Sequence, residues 1–246
     1  MKTPGNYQLH IGDVRDVYAA WPSPTTILSD GAYGIGGFPG DPRTPAELPS
    51  WYSEHFDAWT EAANPSTTLW FWNSEVGWAS VHNELLKRGW QYEQCITWNK
   101  GIGQVAGNVN GKSIRRFPTV TEVCVLYSRT PTVCDDGVRI PMKAWLRSEW
   151  KRTGLTMKKA NEACGVKDAA TRKYFDQGWL WYFPPAEVMQ QLSDYANKHG
   201  DPSGRPYYAL DGNVPVTAEE WVSQRYKWNY THGVTNVWDR PSLRGS

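Results

Sequence analysis

The sequence predicts an α/β fold: a mostly parallel, doubly wound sheet with helices on its faces. Three observations carry this. Residues Thr67–Trp72, Val76–Arg88 and Tyr92–Trp98 read as strand, helix and strand, the alternation that builds parallel sheets. An apolar strand, Thr25–Leu28, and a helix at helical spacing over Pro49–Ala63 place one more such unit ahead of them. Polar clusters then follow directly after the strands, at Ser29-Asp30, Asn73-Ser74-Glu75 and Asn99-Lys100. Ligands of such sheets sit beyond the carboxyl ends of the strands.

With 246 residues the chain is long enough for a sizeable core. Its formal net charge is +1, so any nucleic-acid contact has to come from local clusters of Lys and Arg. Tryptophan is abundant, 15 against 6 Phe; runs such as Leu69-Trp70-Phe71-Trp72 suit a core, and exposed indoles suit stacking on bases. The four cysteines, Cys95, Cys124, Cys134 and Cys164, form no CxxC pair and have no accompanying His cluster. A metal site or disulfide framework is not expected, and reduced thiols in the cytoplasm are. No apolar run reaches membrane-spanning length and no signal peptide precedes Tyr7.

Taken in order, Tyr7–Ile11 reads as a strand running into Gly12-Asp13, and Val14–Trp21 as a helix. The stretch Ile27-Leu28-Ser29-Asp30-Gly31-Ala32-Tyr33-Gly34 organises the chain. It ends a strand on one carboxylate, two tiny residues that let a substrate approach the backbone, and an aromatic that can hold a flat ring. As plain local structure the same residues also make an Asp-Gly turn. Ile35–Pro49 is a long Gly, Pro and Asp loop, read as a lid. In helix Pro49–Ala63 the spacing of Trp51, His55 or Phe56, Trp59, and Ala62 or Ala63 marks a core face. Gly89 ends helix Val76–Arg88, and Lys87 and Arg88 suit its last turn. Asn99–Phe117 is Gly-rich and carries Lys100, Lys112, Arg115 and Arg116 without an acid. It reads either as a solvated loop or as a phosphate contact. Val120–Tyr127 returns as a strand.

The texture changes at Pro141. Helix Met142–Arg152 is basic, and Gly154-Leu155-Thr156 starts a short helix, Met157–Cys164. A Gly165-Val166 turn leads to a second helix, Lys167–Phe175. This is a helix-turn-helix pattern. Its second helix would present Lys167, then Thr171, Arg172 and Lys173, to a DNA major groove; an ordinary helical bundle uses the same pattern. Ala186–Lys198 forms a further helix, and the aromatic remainder holds a short strand at Val234–Trp238. The expected organisation is an α/β portion over 1–138, a helical insert over 139–206 and a return segment over 207–246.

Leu9-His10-Ile11-Gly12-Asp13, the Asp30-Gly31-Ala32-Tyr33 tetrad, the Leu69–Trp72 strand, Ile96-Thr97-Trp98-Asn99-Lys100-Gly101, Phe117-Pro118 through Thr121-Glu122-Val123, and Thr235-Asn236-Val237-Trp238 follow one another in an order that resembles the DNA amino-methyltransferases. These methylate adenine N6 or cytosine N4; the resemblance is to the circular order with the catalytic motif early, and it spans nearly the whole chain. It implies a Rossmann-like sheet of the S-adenosylmethionine-dependent methyltransferase type, double-stranded DNA as partner, and base flipping. Asp30 and the Gly31 carbonyl would accept the two amine hydrogens and Tyr33 would stack on the base, with adenine favoured over cytosine. Asp13, Asp30 and Trp238 would face the cofactor, while Lys100, Arg115, Arg116, Lys167, Thr171, Arg172 and Lys173 would contact DNA.

The sequence departs from the family twice. The usual tetrad is Asp-Pro-Pro-Tyr, and here both prolines are lost, and with them some preorganisation. The family's Asp-Pro-Phe-x-Gly-x-Gly stretch, whose glycine turn binds the amino-acid part of the cofactor, is not in this sequence. Three arrangements are therefore expected: a piece of an enzyme, a chain completed by a second one, or a catalytically silent DNA-binding subunit of a methyltransferase or restriction-modification complex.

Overall fold

The computed structural model describes residues 7–101, 112, 115–135, 138–168, 170–178, 180–227 and 233–239. Their elements run β1 (Thr26–Asp30), α1 (Leu48–Trp51), α2 (Ser53–Ala62), β2 (Thr68–Asn73), α3 (Glu75–Lys87), β3 (Trp90–Asn99), β4 (Thr121–Arg129), β5 (Thr132–Asp135), β6 (Val138–Pro141), α4 (Met142–Arg152), α5 (Met157–Ala163), α6 (Arg172–Phe175), α7 (Ala186–His199), α8 (Ala218–Ser223) and β7 (Val237–Asp239). The chain forms two compact units, residues 1–129 with 228–246, and residues 130–227. The second starts before the expected insert and extends past it. Hairpin β5–β6 places Val133 and Ile140 in the helical core, and Tyr207, Tyr208 and Trp221 pack there too.

The first unit holds a five-stranded sheet in the order β1-β2-β4-β3-β7. β1 and β2 are parallel, as are β3 and β7, but β4 runs antiparallel to both of its neighbours. The mostly parallel, doubly wound sheet expected from the pattern is thus a mixed one. Hydrophobic periodicity reports which side chains face inward and says nothing of strand direction.

Side-chain alternation divides the sheet into two faces. Ile27, Leu69, Phe71, Val125 and Tyr127 pack with Leu48, Tyr52, Phe56, Trp59, Val81 and Leu85 of the helices. Each such fully buried side chain contributes about 1.5–3 kcal/mol. On the opposite face Ile96, Cys124 and Leu126 pack with Trp70, Trp72 and Trp238, all from strands. The expected helix over 49–63 is two helices that meet at Tyr52, whose ring stacks on Phe56. Ser74 caps α3 by accepting from Gly77 N at 3.1 Å. Tyr7–Ile11 is not a strand: Tyr7, Leu9 and Ile11 are exposed and pair with no strand among the described residues. Val14–Ala20 is a 3-10 helix.

The helical unit centres on Trp145, Trp150, Leu192, Tyr208 and Trp221, all nearly or fully buried. Buried Glu149 pairs with Arg152 at 2.7 Å and Arg205 at 3.1 Å, and accepts from Tyr208 N at 2.9 Å. Helices α4, α5 and α7 form close to their expected spans. The second helix of the predicted helix-turn-helix does not. Asp168 has φ +54°, Lys167 and Thr171 lie outside any helix, and α6 is one turn long. Asn161 Oδ1 accepts both Thr171 N (3.1 Å) and Thr171 Oγ1 (2.7 Å), a partner ten residues away for a backbone N–H that a helix started at Lys167 would use itself. Helix α8, unread in the sequence, starts with a capping box of Thr217 and Glu220.

Candidate active site at the sheet rim

Strand directions bring the carboxyl ends of β1, β2, β3 and β7 to one edge, beside the start of β4. Asp30 pairs in register with Trp72, Trp72 with Cys124, Trp98 with Glu122 and with Trp238. By the two-residue alternation Asp30, Trp72, Glu122, Trp98 and Trp238 therefore share one face of the sheet. The sequence-predicted Asp30, Tyr33, Lys100 and Trp238 all belong to this rim.

Tyr33 Oη donates to Asp30 Oδ1 at 2.9 Å and reaches Glu122 Oε2 at 3.4 Å. Trp72 Nε1 donates to the same Glu122 oxygen at 2.9 Å, and Lys100 Nζ holds Glu122 Oε1 at 2.6 Å. Asp30 is exposed, and no described residue bonds its second oxygen. Burial would raise the Glu122 carboxyl, but the hydrogen bonds from Lys100 and Trp72 and the Lys100 charge outweigh it and hold it below the usual range. Burial, the bond to Asp30 and the Glu122 charge all push the Tyr33 phenol up, so it stays a donor. Trp72 meets Trp98 edge-on with centroids 5.5 Å apart and lies 6.1 Å from Trp238. Asn99 Nδ2 donates to Asp239 Oδ1 at 2.7 Å, fastening β7 to this edge.

Behind Tyr33 the backbone is held from two sides. The Ala32 carbonyl accepts from Asn73 Nδ2 (2.9 Å) and Tyr52 Oη (3.1 Å). A Cβ on Gly31 would stand 2.5 Å from Tyr52 Oη, so only glycine fits there without displacement. The loop read as a lid is fastened by Asp41, whose carboxylate accepts from Gly34 N (3.1 Å), Ile35 N (3.3 Å) and Gly37 N (2.8 Å). Against the upward push of burial, these donors hold the Asp41 carboxyl below its ordinary range.

Other predicted residues lie elsewhere. Asp13 caps the 3-10 helix and is forked by Arg15 (2.6 Å), which also reaches Glu54 of α2 at 3.0 Å. Its hydrogen bonds with Arg15 hold its carboxyl far below the usual range, and among the described residues no hydrogen bond or ion pair joins it to Asp30. Lys100 is paired with Glu122 and only 14 % exposed, so it lies at this rim and not on an open surface. Thr171 is buried, with its hydroxyl bonded to Asn161. Arg115, Arg116, Lys167, Arg172 and Lys173 are exposed; residues 102–111, 113 and 114 of the basic loop lie outside the described residues. Glu122 and Asp41 went unassigned in the sequence. Thr121-Glu122-Val123 was a visible motif, but its partner across the sheet depends on register.

Among the described residues no group of three His, Cys, Asp or Glu is placed to hold a metal, and no helix is long and apolar enough to cross a membrane.

No protein-family model matches the sequence, and no curated protein does. Among solved structures, the complex of M1.HpyAVI with SAM shares 17 % identity over 50 % of this chain and 54 % of its own, at a TM-score of 0.31. TTHA0409 from Thermus thermophilus, provisionally assigned as a DNA modification methylase, shares 16 % identity over 74 % of this chain and 71 % of its own, at a TM-score of 0.35. Its complex with S-adenosyl-L-methionine gives 18 % and 0.33. The match spans about half the length of M1.HpyAVI. Likeness this slight fixes neither fold nor activity.

Proposed function

We propose that the rim around Asp30 is the amine-binding half of a DNA methyltransferase site, and that the chain acts on double-stranded DNA. The observation that supports this most is an exposed carboxylate at a strand end, aligned by Tyr33 through one oxygen and open through the other. Oδ2 of Asp30 accepts one hydrogen of the exocyclic amine of a flipped base, and the Gly31 carbonyl the other. Two acceptors on the hydrogens turn the nitrogen lone pair away from them, in a fixed direction. Glycine at 31 lets the Tyr52 hydroxyl pack against the backbone behind the tetrad. Glu122, locked by Lys100 and Trp72, keeps the Tyr33 phenol oriented, and Trp72 and Trp98 keep water from the apolar side of the rim. Adenine N6 is the favoured target over cytosine N4, a preference that rests on the leading Asp of the tetrad alone.

The sulfonium of S-adenosylmethionine is a cation, and a rim of carboxylate and indole groups suits one. Asp30 and Trp238 fit that end of the cofactor; Asp13, already forked by Arg15, does not fit the adenosyl role. When bound, the cofactor supplies an electrophilic methyl group.

Exposed Arg115, Arg116, Lys167, Arg172 and Lys173 serve as contacts to the DNA backbone. The test is incubation of duplex DNA with the protein and tritiated S-adenosylmethionine, followed by nucleoside analysis. Labelled N6-methyladenine is expected. Binding of DNA without any labelled base would overturn the enzyme reading in favour of a DNA-binding subunit.

A further inference from the structure

A second concave site lies wholly within the helical unit. A cavity of about 500 Å³ is lined by Arg147 of α4, Lys158 and Asn161 of α5, Arg172 and Phe175 of α6, and Asp176. Three cations from three different helices thus face one space against a single acid. Among the described residues none of the three has an ion-pair partner, and Asp176 spends one oxygen on Gly178 N at 2.8 Å. Like charges gathered without partners are unfavourable, and an anion between them reverses the sign.

The remaining walls say what else the anion carries. Phe175 is 4 % exposed and forms an apolar floor, and Met157 borders the same space. Asn161 Oδ1, by binding Thr171 N and Oγ1, fixes the start of α6 against α5. The backbone positions that carry Lys158 and Arg172 are thereby set relative to one another. The volume lies within the range of small-molecule sites and exceeds what a bare inorganic anion fills. Two guanidinium groups favour an anion that takes forked hydrogen bonds, as phosphate oxygens do. An apolar floor with an adaptable methionine favours a flat ring attached to it.

We propose that this cavity binds a nucleoside phosphate, with the phosphate among Arg147, Lys158 and Arg172 and the base over Phe175. The proposal uses none of the rim residues and shares only Arg172 with the DNA contacts proposed above. The nucleotide can be free in solution or part of a nucleic-acid strand.

Calorimetric titration of the full chain with deoxyadenosine 5′-monophosphate, deoxyadenosine, inorganic phosphate and a short duplex tests it. The monophosphate is expected to bind about tenfold or more tighter than either the nucleoside or phosphate alone. Arg172→Gln and Arg147→Gln should each weaken it by about tenfold, with Arg172→Lys intermediate. Both arginines are exposed, and near-UV circular dichroism of the tryptophans confirms that the variants are folded. If Arg147→Gln weakens duplex binding equally, the nucleotide comes from a strand; if Arg147→Gln leaves duplex binding unchanged, it is a free nucleotide. Monophosphate binding no tighter than that of deoxyadenosine, or unaltered in both glutamine variants, would overturn the proposal.

Discussion

Tyr33 and Asp30, one turn of loop apart, are joined by a 2.9 Å hydrogen bond in which the phenol is the donor. This pairing aims the carboxylate while occupying only half of it. Tyr33→Phe should therefore lower methyl transfer by about 10- to 100-fold and leave DNA affinity within twofold. Steady-state kinetics separates the two. Loss of DNA affinity with unchanged turnover would give Tyr33 a different role.

Glu122 is the hub of the rim, and its partner Lys100 is largely buried. Glu122→Gln removes the charge opposite that ammonium and should cost about 1–3 kcal/mol in urea unfolding, the range for a partly screened pair. Its folded carboxyl titrates below the unfolded one. The stabilisation is therefore complete above the ordinary glutamate value of about 4.3 and lost as pH falls through the lower, folded value. The stability difference between wild type and Glu122→Gln should shrink in that acid window and stay constant above it. A difference that grows on acidification would reverse the sign of the argument.

Gly31→Ala places a methyl group against Tyr52 Oη and should cost about 1–3 kcal/mol. Tyr52→Phe removes the obstructing oxygen, along with its bond to the Ala32 carbonyl. In a double-mutant cycle the combined cost should fall below the sum of the single costs. Simple additivity would show that the loop relaxes freely. A proline at 31 would bring its Cβ against the same hydroxyl.

Asp41→Ala frees the amides of Gly34, Ile35 and Gly37. Their hydrogen exchange should accelerate, with a stability loss of about 1–3 kcal/mol for the unpaired donors. Unchanged exchange at those three amides would mean that the turn holds itself.

Much of the first unit was legible because its signals are local. Strands over 67–72 and 92–98 and the helix over 76–88 follow from side-chain alternation and capping, and Asp30 stood out as an acid between a strand and glycine. What was not legible depends on partners far along the chain. The reversed β4 has the same apolar texture as a parallel strand, so Glu122 could not be placed opposite Trp98 and Lys100 from sequence. Tyr7–Ile11 has a strand's composition but no strand to pair with. The helix expected from Lys167 yields to Asn161, whose one carbonyl oxygen takes both polar groups of Thr171. Asp41 offered a signal in retrospect: an acid a few residues after three backbone N–H groups in a glycine run.

The most direct measurement is methyl transfer to duplex DNA by the wild-type protein and by Asp30→Asn, under conditions where both are saturated with DNA. The amide keeps the shape of the side chain but offers one acceptor fewer to an amine. Turnover should fall by about 10²- to 10³-fold while the dissociation constant for DNA stays unchanged. An Asp30→Asn protein that methylates DNA within a few-fold of the wild-type rate would contradict the account.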